Sequence, residues 1–360
     1  MAARVAVVYH PDLLSLDFGE GHPLRSDRYS NFLSLFSRLG LDADPRFGKA
    51  GCEPATRDDL LLAHSPDYLA EVDRLAQLRG HLTMDTPLSP DIVRGSMLAV
   101  GGALEAGRRV AGATDRHVVC FGGFHHAGHD YGGGFCVYND VAILARSLVR
   151  RHGKKRVMVI DTDAHAGDGT EDILASDPSV LVVSIHQDPT TIFPGKGFPH
   201  EIGSGEGRGF TVNIPLPLMA ELDEYQRCFQ EVVLPLAREF RPEVVIRNGG
   251  SDSHYADELT QLGLSVADFK WLGMMVHEAA QGAPVMDMYG SGYNPRVLPS
   301  CWMALLSGTS GINIQVPRID EGRRPEIAIT PGLATQKDME LLGTIAEVKK
   351  NLRPYWKCFQ

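Results

Sequence analysis

Short β-branched runs alternate with longer amphipathic segments along almost the whole chain. The predicted strands cover residues 5–10, 117–121, 156–161, 180–186, 243–247 and 284–288, and the predicted helices cover 91–111, 139–151, 222–240 and 266–281. Strands separated by helices of this length indicate β-α-β units around a parallel sheet. Uninterrupted apolar runs such as VMVI and LVVSI favour strands buried on both faces. We therefore predict a single α/β domain over residues 1–360, with an open, largely parallel β-sheet flanked by helices.

Composition and charge limit the possible functions. Of the 360 residues, 43% are hydrophobic and 22% are charged, which is typical of a soluble globular chain. The net charge of −10 argues against a nucleic-acid partner, since an acidic chain gains nothing from counterion release. No apolar run approaches the roughly 20 residues of a membrane span. Six scattered cysteines without a C-x-x-C pair indicate reduced thiols, so we expect a cytoplasmic protein; the sequence makes no prediction of its oligomeric state.

Polar, glycine-rich sequence follows almost every predicted strand. The segments are CFGGFHHAGHD, VIDTDAHAGDG, VSIHQD, IRNGGSDSH and MDMYGSGYN. In an open parallel sheet, a ligand lies beyond the carboxyl ends of the strands. The histidines, aspartates and tyrosine concentrated in these segments are therefore predicted to form a catalytic site.

The D-T-D-A-H run predicts a metal centre. Asp163 and His165 are suitable ligands for a divalent metal, and Asp252 at a second strand end could complete the set. Three protein ligands leave a position for water, as in a catalytic zinc site, and the same donors also suit iron(II). Taken singly, Asp168 or Glu171 would be explained more simply as a helix cap.

Two adjacent histidines, His125 and His126, predict a general base with a neighbour that holds charge or shuttles the proton. Each needs an acceptor for its other ring nitrogen, and Asp161 and Asp168 are the candidates. Tyr293, which follows a glycine in a G-S-G-Y turn, could donate a hydrogen bond to the oxyanion of a tetrahedral intermediate.

Two segments could supply aromatic walls to a cleft: the glycine run ending at Gly134 and Phe135, and the I-F-P run that contains Phe193. The glycine run lacks the G-x-G-x-x-G spacing of a dinucleotide site, and the chain has no G-x-x-x-x-G-K-[ST] phosphate loop.

Together these motifs resemble the zinc-dependent histone deacetylase superfamily, which includes bacterial histone deacetylase-like amidohydrolases. The likeness covers nearly the whole chain, from FGEGHPLRSDR through HSPDYL, DTPLSP, HHAGHDYGGGFCVYND, DTDAHAGDGT, VSIHQDPTTIFPG and NGGSDSHYADELTQLGLS to GSGYN. The resemblance implies the arginase/deacetylase fold. It also implies that metal-activated water removes an acetyl or other acyl group from acyl-lysine, a lysine-like amine or another acylated amine.

The resemblance further implies a role for individual residues. It implies zinc ligands at Asp163, His165 and Asp252; catalytic groups at His125, His126, Asp161, Asp168 and Tyr293; channel residues at Gly134, Phe135 and Phe193; and a potassium ion (K+) near Asp161, Asp163, His165, Ser184 and Ile185. Asp85 matches the rim aspartate that grips the substrate backbone.

Three positions depart from the family pattern. Ala166 stands where a second histidine commonly follows the D-x-D-x-H motif, and activity should survive because that histidine is neither ligand nor base. Ser251, before Asp252, predicts a roomier or more polar pocket floor. Leu259 occupies the place of the acidic rim residue of polyamine-preferring relatives, which argues against, without excluding, a polyamine substrate.

Two other functions stay open at the level of sequence. A binuclear manganese ureohydrolase of the arginase type uses similar strand ends, but needs more bridging carboxylates than Asp252 and Asp257 provide. A non-catalytic acyl-lysine binding module would retain the channel without turnover, although every residue that the chemistry needs is present.

Overall fold

Eight parallel strands form one central sheet in the computed structural model of the protein, which describes residues 5–322 and 331–360. These strands are β1 Val5–Val8, β2 Phe47–Ala50, β5 His117–Phe121, β6 Val157–Asp161, β7 Val180–Gln187, β8 Thr211–Leu216, β9 Val244–Asn248 and β10 Val285–Tyr289. A separate antiparallel hairpin pairs β3 His81–Thr83 with β4 Thr86–Pro87. The predicted α/β class and parallel sheet are confirmed.

The strand order is β2-β1-β5-β10-β9-β6-β7-β8. The six predicted strands are the six interior strands of this sheet. The two edge strands, β2 and β8, were not predicted. Interior strands are apolar because both of their faces are covered. In contrast, β2 buries only Phe47 among its four residues, and β8 contains Asn213 and Pro215, which are uncommon in strands.

Helices flank the sheet and pack on one another. They are α1 Asp27–Arg38, α2 Arg57–Leu60, α3 Pro66–Gln77, α4 Pro90–Ala111, α5 Asp140–Arg150, α6 Asp168–Leu174, α7 Leu222–Cys228, α8 Leu234–Phe240, α9 Val266–Ala280, α10 Leu298–Ser310 and α11 Pro331–Leu352. The helix predicted over 222–240 is interrupted by a π-helical turn, Phe229–Val233. Pro235 follows that turn and lacks the N–H that a continuous α-helix would need. In the described part of the chain, no helix is both long and apolar enough to cross a membrane.

A buried ion pair joins the two strands at the centre of the sheet. Arg247 on β9 and Asp287 on β10 are register partners, both fully buried, and the guanidinium Nε donates to the carboxylate. Hydroxyls of Tyr289 and Thr309 donate to the other carboxylate oxygen at 2.8 and 2.7 Å. Arg247 Nη1 also donates to the carbonyl of Gly249 at 2.9 Å, and so supports the loop that follows β9.

Replacing Arg247 with Met should therefore leave the Asp287 carboxylate buried without its counter-charge. We expect the free energy of unfolding to fall by about 3–5 kcal/mol, measured by urea denaturation. The double variant Arg247→Met/Asp287→Leu should recover most of that loss, because the uncompensated charge is gone. A single variant as stable as the double variant would contradict this account of the pair.

Candidate active site

The carboxyl ends of β6, β7 and β9 lie side by side and carry the polar residues of the site. Asp161 at the end of β6 is in register with Ser184 on β7 and with Asn248 on β9. The D-x-D-x-H motif continues beyond β6 into a turn, and the loop after β9 reaches Asp252. His165 and Asp252, 87 positions apart in the chain, are brought together because parallel strands end at the same edge of the sheet.

Asp163, His165 and Asp252 form the cluster of three potential metal ligands that was predicted. One ligand atom from each residue lies within 4.8 Å of the others, and all three side chains are buried. His165 Nδ1 lies 3.1 Å from Asp163 Oδ1 and 3.3 Å from Asp252 Oδ2. The hydroxyl of Ser291 donates to the remaining oxygen of Asp252 at 2.9 Å, which fixes the orientation of this carboxylate.

The electrostatics of this cluster fit a divalent cation. Burial opposes a charged imidazole, yet hydrogen bonds to Asp163 and Asp252 raise the pKa of His165 to about 10. Burial, with the negative charge of Asp163, raises the pKa of Asp252. The three residues thus hold more negative charge than their buried surroundings favour, and a divalent cation bound there would relieve that excess. Two carboxylates and one imidazole also satisfy the preferences of zinc and iron(II).

The tandem histidines lie beside this cluster, each oriented by a carboxylate. Nδ1 of His125 donates to Asp161 at 2.8 Å, and Nδ1 of His126 donates to Asp168 at 2.8 Å. Because carboxylates only accept, both Nδ1 atoms must carry hydrogen. The two Nε2 atoms then face each other at 3.1 Å, a distance at which one proton can be shared between them.

Their environments separate the proton affinities of the two rings. Burial opposes the charged form of His125, but the charges of Asp161 and Asp163 raise its pKa to about 9. Burial and the positive charge of His125 lower the pKa of His126 to about 4. The ring of His126 is therefore neutral near pH 7, and its Nε2 has a lone pair that can accept a proton.

Sequence reasoning missed two buried residues that hold this pair in place. Asn248 Nδ2 donates to the same Asp161 oxygen as His125, at 3.0 Å. The Asp140 carboxylate accepts from the backbone N–H groups of Gly123 and Phe124, at 2.8–3.0 Å, directly before the histidines. A buried Asp at the first turn of a helix resembles an ordinary helix-start residue, so the sequence carries no separate signal for this role.

A cavity opens above the histidines and two of the potential metal ligands. Its lining includes His125, His126, Asp163, His165, Phe135 and Tyr293. The ring of Tyr293 lies 5.7 Å from that of Phe135, centroid to centroid. Burial and the charges of Asp163 and Asp252 raise the pKa of Tyr293, so its hydroxyl stays protonated and can donate a hydrogen bond.

Phe193 packs beside the histidine pair. Its half-exposed ring meets that of His126 edge-on at 4.9 Å. Gly134 lies between the two walls, and a Cβ there would approach Phe193 and His126 to 2.7 and 2.8 Å. Only glycine leaves both rings in place. The predicted channel residues Gly134, Phe135 and Phe193 are thus brought together.

Asp85 and Leu259 are not among the residues that line this cavity. Asp85 lies in the turn of the β3–β4 hairpin, and Leu259 is 38% exposed on the loop after Asp252. The backbone N–H of Leu259 donates to the Asp257 carboxylate.

The structure shows what surrounds two of the departures from the family pattern. Ala166 is buried against Gly197 and His186, since a Cβ at Gly197 would meet both within 2.6 Å. The loop at Gly197 thus occupies the space beside the short side chain. Ser251 is fully buried, and its hydroxyl has no hydrogen-bond partner among the described residues.

The second ligand set that a ureohydrolase requires is not assembled in residues 5–322 or 331–360. The described residues offer one cluster of three potential metal ligands. The Asp257 carboxylate instead accepts from the backbone N–H groups of Tyr293 and Leu259, at 2.8 and 3.0 Å. Of the predicted potassium positions, Ser184 bonds to Nδ1 of His186 at 2.7 Å and Ile185 is buried in β7, and the potassium ion stays a prediction.

The sequence context of Glu171, taken alone, predicts a helix cap. In the structure Glu171 does not cap helix α6. Its side chain is buried, and Oε2 accepts from Asn213 Nδ2 at 3.0 Å. Glu171 Oε1 and Asn213 Oδ1 are both buried without a hydrogen-bond partner in the described residues. Burial, reinforced by the charges of Glu201 and Asp168, raises the pKa of Glu171 to about 8.

This pKa predicts how stability depends on pH. The unfolded chain loses the Glu171 proton near pH 4.5, whereas the folded chain keeps it to about pH 8, so the free energy of unfolding should fall as pH rises through that interval. In Glu171→Gln, the amide can replace the protonated acid and donate to Asn213. Urea denaturation from pH 5 to 8 should show that the variant loses this decline, whereas the control Glu206→Gln, an exposed residue, keeps it. Equal pH dependence in Glu171→Gln and the wild type would contradict the account.

Residues 22–309 match the histone deacetylase domain family. The chain is similar to a protein described as a probable deacetylase from Archaeoglobus fulgidus, with 29% identity over 98% of this chain and 99% of that protein. It is also 31% identical to the acetoin utilization protein AcuC of Bacillus subtilis, over 85% of this chain and 82% of AcuC. Among solved structures, the HD domain of HDA15 shares the fold, with a TM-score of 0.85, 24% identity and coverage of 100% of this chain and 97% of that domain.

Proposed function

The chain belongs to the histone deacetylase family and is a metal-dependent deacetylase; we propose that its metal is zinc and that its substrate is an acetylated lysine-like amine. One observation carries this proposal. Two members of the buried ligand cluster, Asp163 and His165, line the same cavity as the carboxylate-oriented histidine pair and a protonated tyrosine. The six cysteines are free, which supports the proposal of a cytoplasmic protein.

Asp163, His165 and Asp252 would hold the metal. When bound, zinc polarises the amide carbonyl and lowers the pKa of water, so that hydroxide is available near neutral pH. We assign the potassium ion to the vicinity of Asp161 and Ser184, which are register partners at the strand ends.

The histidine pair moves the protons of the reaction. His126 Nε2 accepts the proton of the attacking water, because its Nδ1 is engaged by Asp168 and its ring is neutral. The 3.1 Å separation of the Nε2 atoms lets either ring deliver a proton to the departing amine. Asp161 and Asp168 stabilise the positive charge that develops on the imidazoles.

Tyr293 donates its hydroxyl hydrogen to the oxygen that becomes negative when water attacks the carbonyl. The tyrosine is only partly exposed, so little solvent competes for the oxyanion. Phe135 and Phe193 admit a straight, uncharged arm and exclude branched groups. Asp85, at the rim, accepts a hydrogen bond from a backbone amide of the substrate.

Removal of the two catalytic groups tests the proton transfer and oxyanion steps. We expect Tyr293→Phe to lower kcat for acetate release about 10²–10³-fold, and His126→Ala to lower it about 10²–10⁴-fold. The matched controls are Tyr355→Phe, near the C-terminus, and His152→Ala, at the opposite end of the strands; both should keep wild-type turnover. Wild-type turnover in both Tyr293→Phe and His126→Ala, on a panel of acylated amines, would overturn the mechanism.

Metal content tests the ligand set and separates the remaining alternatives. The purified enzyme should hold about one zinc ion per chain, by elemental analysis, and a chelator should abolish acetate release that added zinc restores. Asp252→Asn should lose the metal, whereas Asp58→Asn, on an exposed helix start, should retain it. A content near two metals would support a ureohydrolase. Tight acyl-peptide binding without acetate release would support a binding module. If only iron(II) restored acetate release, the metal would be assigned as iron rather than zinc.

A further inference from the structure

We propose that His22 is a positioning residue that shapes the channel rim for peptide substrates, by tying the turn that carries Asp85 to the N-terminal loop and to the channel wall. The inference rests on the proposed function, since it concerns how the same site grips an acylated lysine. His22 itself lies outside the reaction cavity, in the loop before α1.

Both ring nitrogens of His22 are engaged, one within its own loop and one across to the hairpin. Nδ1 accepts from the backbone N–H of Leu24 at 3.0 Å. Nε2 lies 3.0 Å from the backbone carbonyl of Asp85, 63 residues away. Because a carbonyl only accepts, Nε2 must carry the hydrogen, and the ring is the neutral tautomer that bridges the two segments.

The ring also packs against the aromatic wall of the channel. Its centroid lies 4.7 Å from that of Phe135 and 4.8 Å from that of Phe18, and both contacts are edge-on. The hairpin has a second link to this wall, because the backbone N–H of Phe135 donates to Thr86 Oγ1 at 3.0 Å. His22 therefore fixes the distance between the hairpin turn and Phe135.

The carboxylate of Asp85 is left with one oxygen for a substrate. Hydroxyls of Thr83 and Thr86 both donate to Oδ1. Within the described chain, Oδ2 has no hydrogen-bond partner. A free carboxylate oxygen on an anchored turn, beside the channel mouth, suits a substrate that presents backbone N–H groups next to the acylated arm. This chemistry favours acyl-lysine within a peptide over a small acylated amine.

The variant His22→Asn separates the two functions of the ring. Asparagine can still accept the Leu24 N–H through Oδ1, as in an Asx turn, but is too short to reach Asp85 or to pack on Phe135. His10→Asn is the matched control. His10 Nδ1 also accepts from a backbone N–H two residues on, that of Asp12, at 3.1 Å, with no bond to the hairpin.

The kinetic test compares an acetyl-lysine peptide with N-pentylacetamide, which has the side-chain arm but no backbone amide. We expect His22→Asn to raise KM for the peptide about five- to tenfold and to leave kcat unchanged, because the variant loses the one hydrogen bond that positions the hairpin. The KM for N-pentylacetamide should rise less than that for the peptide, because this substrate contacts the Phe135 wall but not Asp85, and all constants of His10→Asn should stay at wild-type values. An equal loss on both substrates would overturn the proposal in favour of a merely structural role, and so would a wild-type KM for the peptide.

Hydrogen exchange tests the contact between His22 and the hairpin independently of catalytic activity. Amides of residues 81–86 and 88 should exchange several-fold faster in His22→Asn than in His10→Asn, and the protection of amides elsewhere in the chain should not change. Unchanged exchange in the hairpin would overturn the proposal. If the wild-type enzyme released no acetate from either substrate, the proposed function would fail, whereas the exchange result would still decide whether His22 holds the hairpin.

Discussion

Burial of Asp163 and Asp252 beside each other is the constraint on which the rest of the site depends. Two carboxylates removed from water repel each other, and each loses hydration that costs several kcal/mol. Such a pair is tolerated only with compensation, and here it comes from His165 and from the Ser291 hydroxyl. A buried pair of carboxylates whose charge is only partly compensated is the kind of site that favours a divalent cation.

The surrounding chain holds these groups with polar contacts at the strand ends. Asn248 and Asp140 orient the histidine pair, and Arg247 supports the loop after β9 from below. A side chain at the end of a buried strand has little freedom to move, so a site built there is more precise than one built on a long loop. The β3–β4 hairpin that carries Asp85 differs: it is short and separate from the main sheet, and a hydrogen bond from His22 links it to the loop before α1.

Division of labour between the two histidines arises from their neighbours. Their residue type and their distances to a carboxylate are the same, yet the pKa of His125 is raised and that of His126 is lowered. His125 faces two carboxylates at the end of β6, whereas His126 faces one, and feels the charge of His125. Adjacent positions in the chain thus acquire different proton affinities. Two groups with different affinities can take the separate roles of acid and base.

The sequence by itself determined the fold class, the six interior strands and the residues of the ligand cluster, because buried strands need continuous apolar runs and metal chemistry needs particular side chains at strand ends. Four aspects were decided only by the tertiary structure. The edge strands depend on pairing with a neighbour rather than on their own composition. Asn248 and Asp140 resemble ordinary strand-end and helix-start residues until the histidines are placed beside them. Glu171 reads as a helix cap, but faces Asn213 across the fold. The role of His22 depends on a hydrogen bond to a residue 63 positions away, which no local pattern encodes.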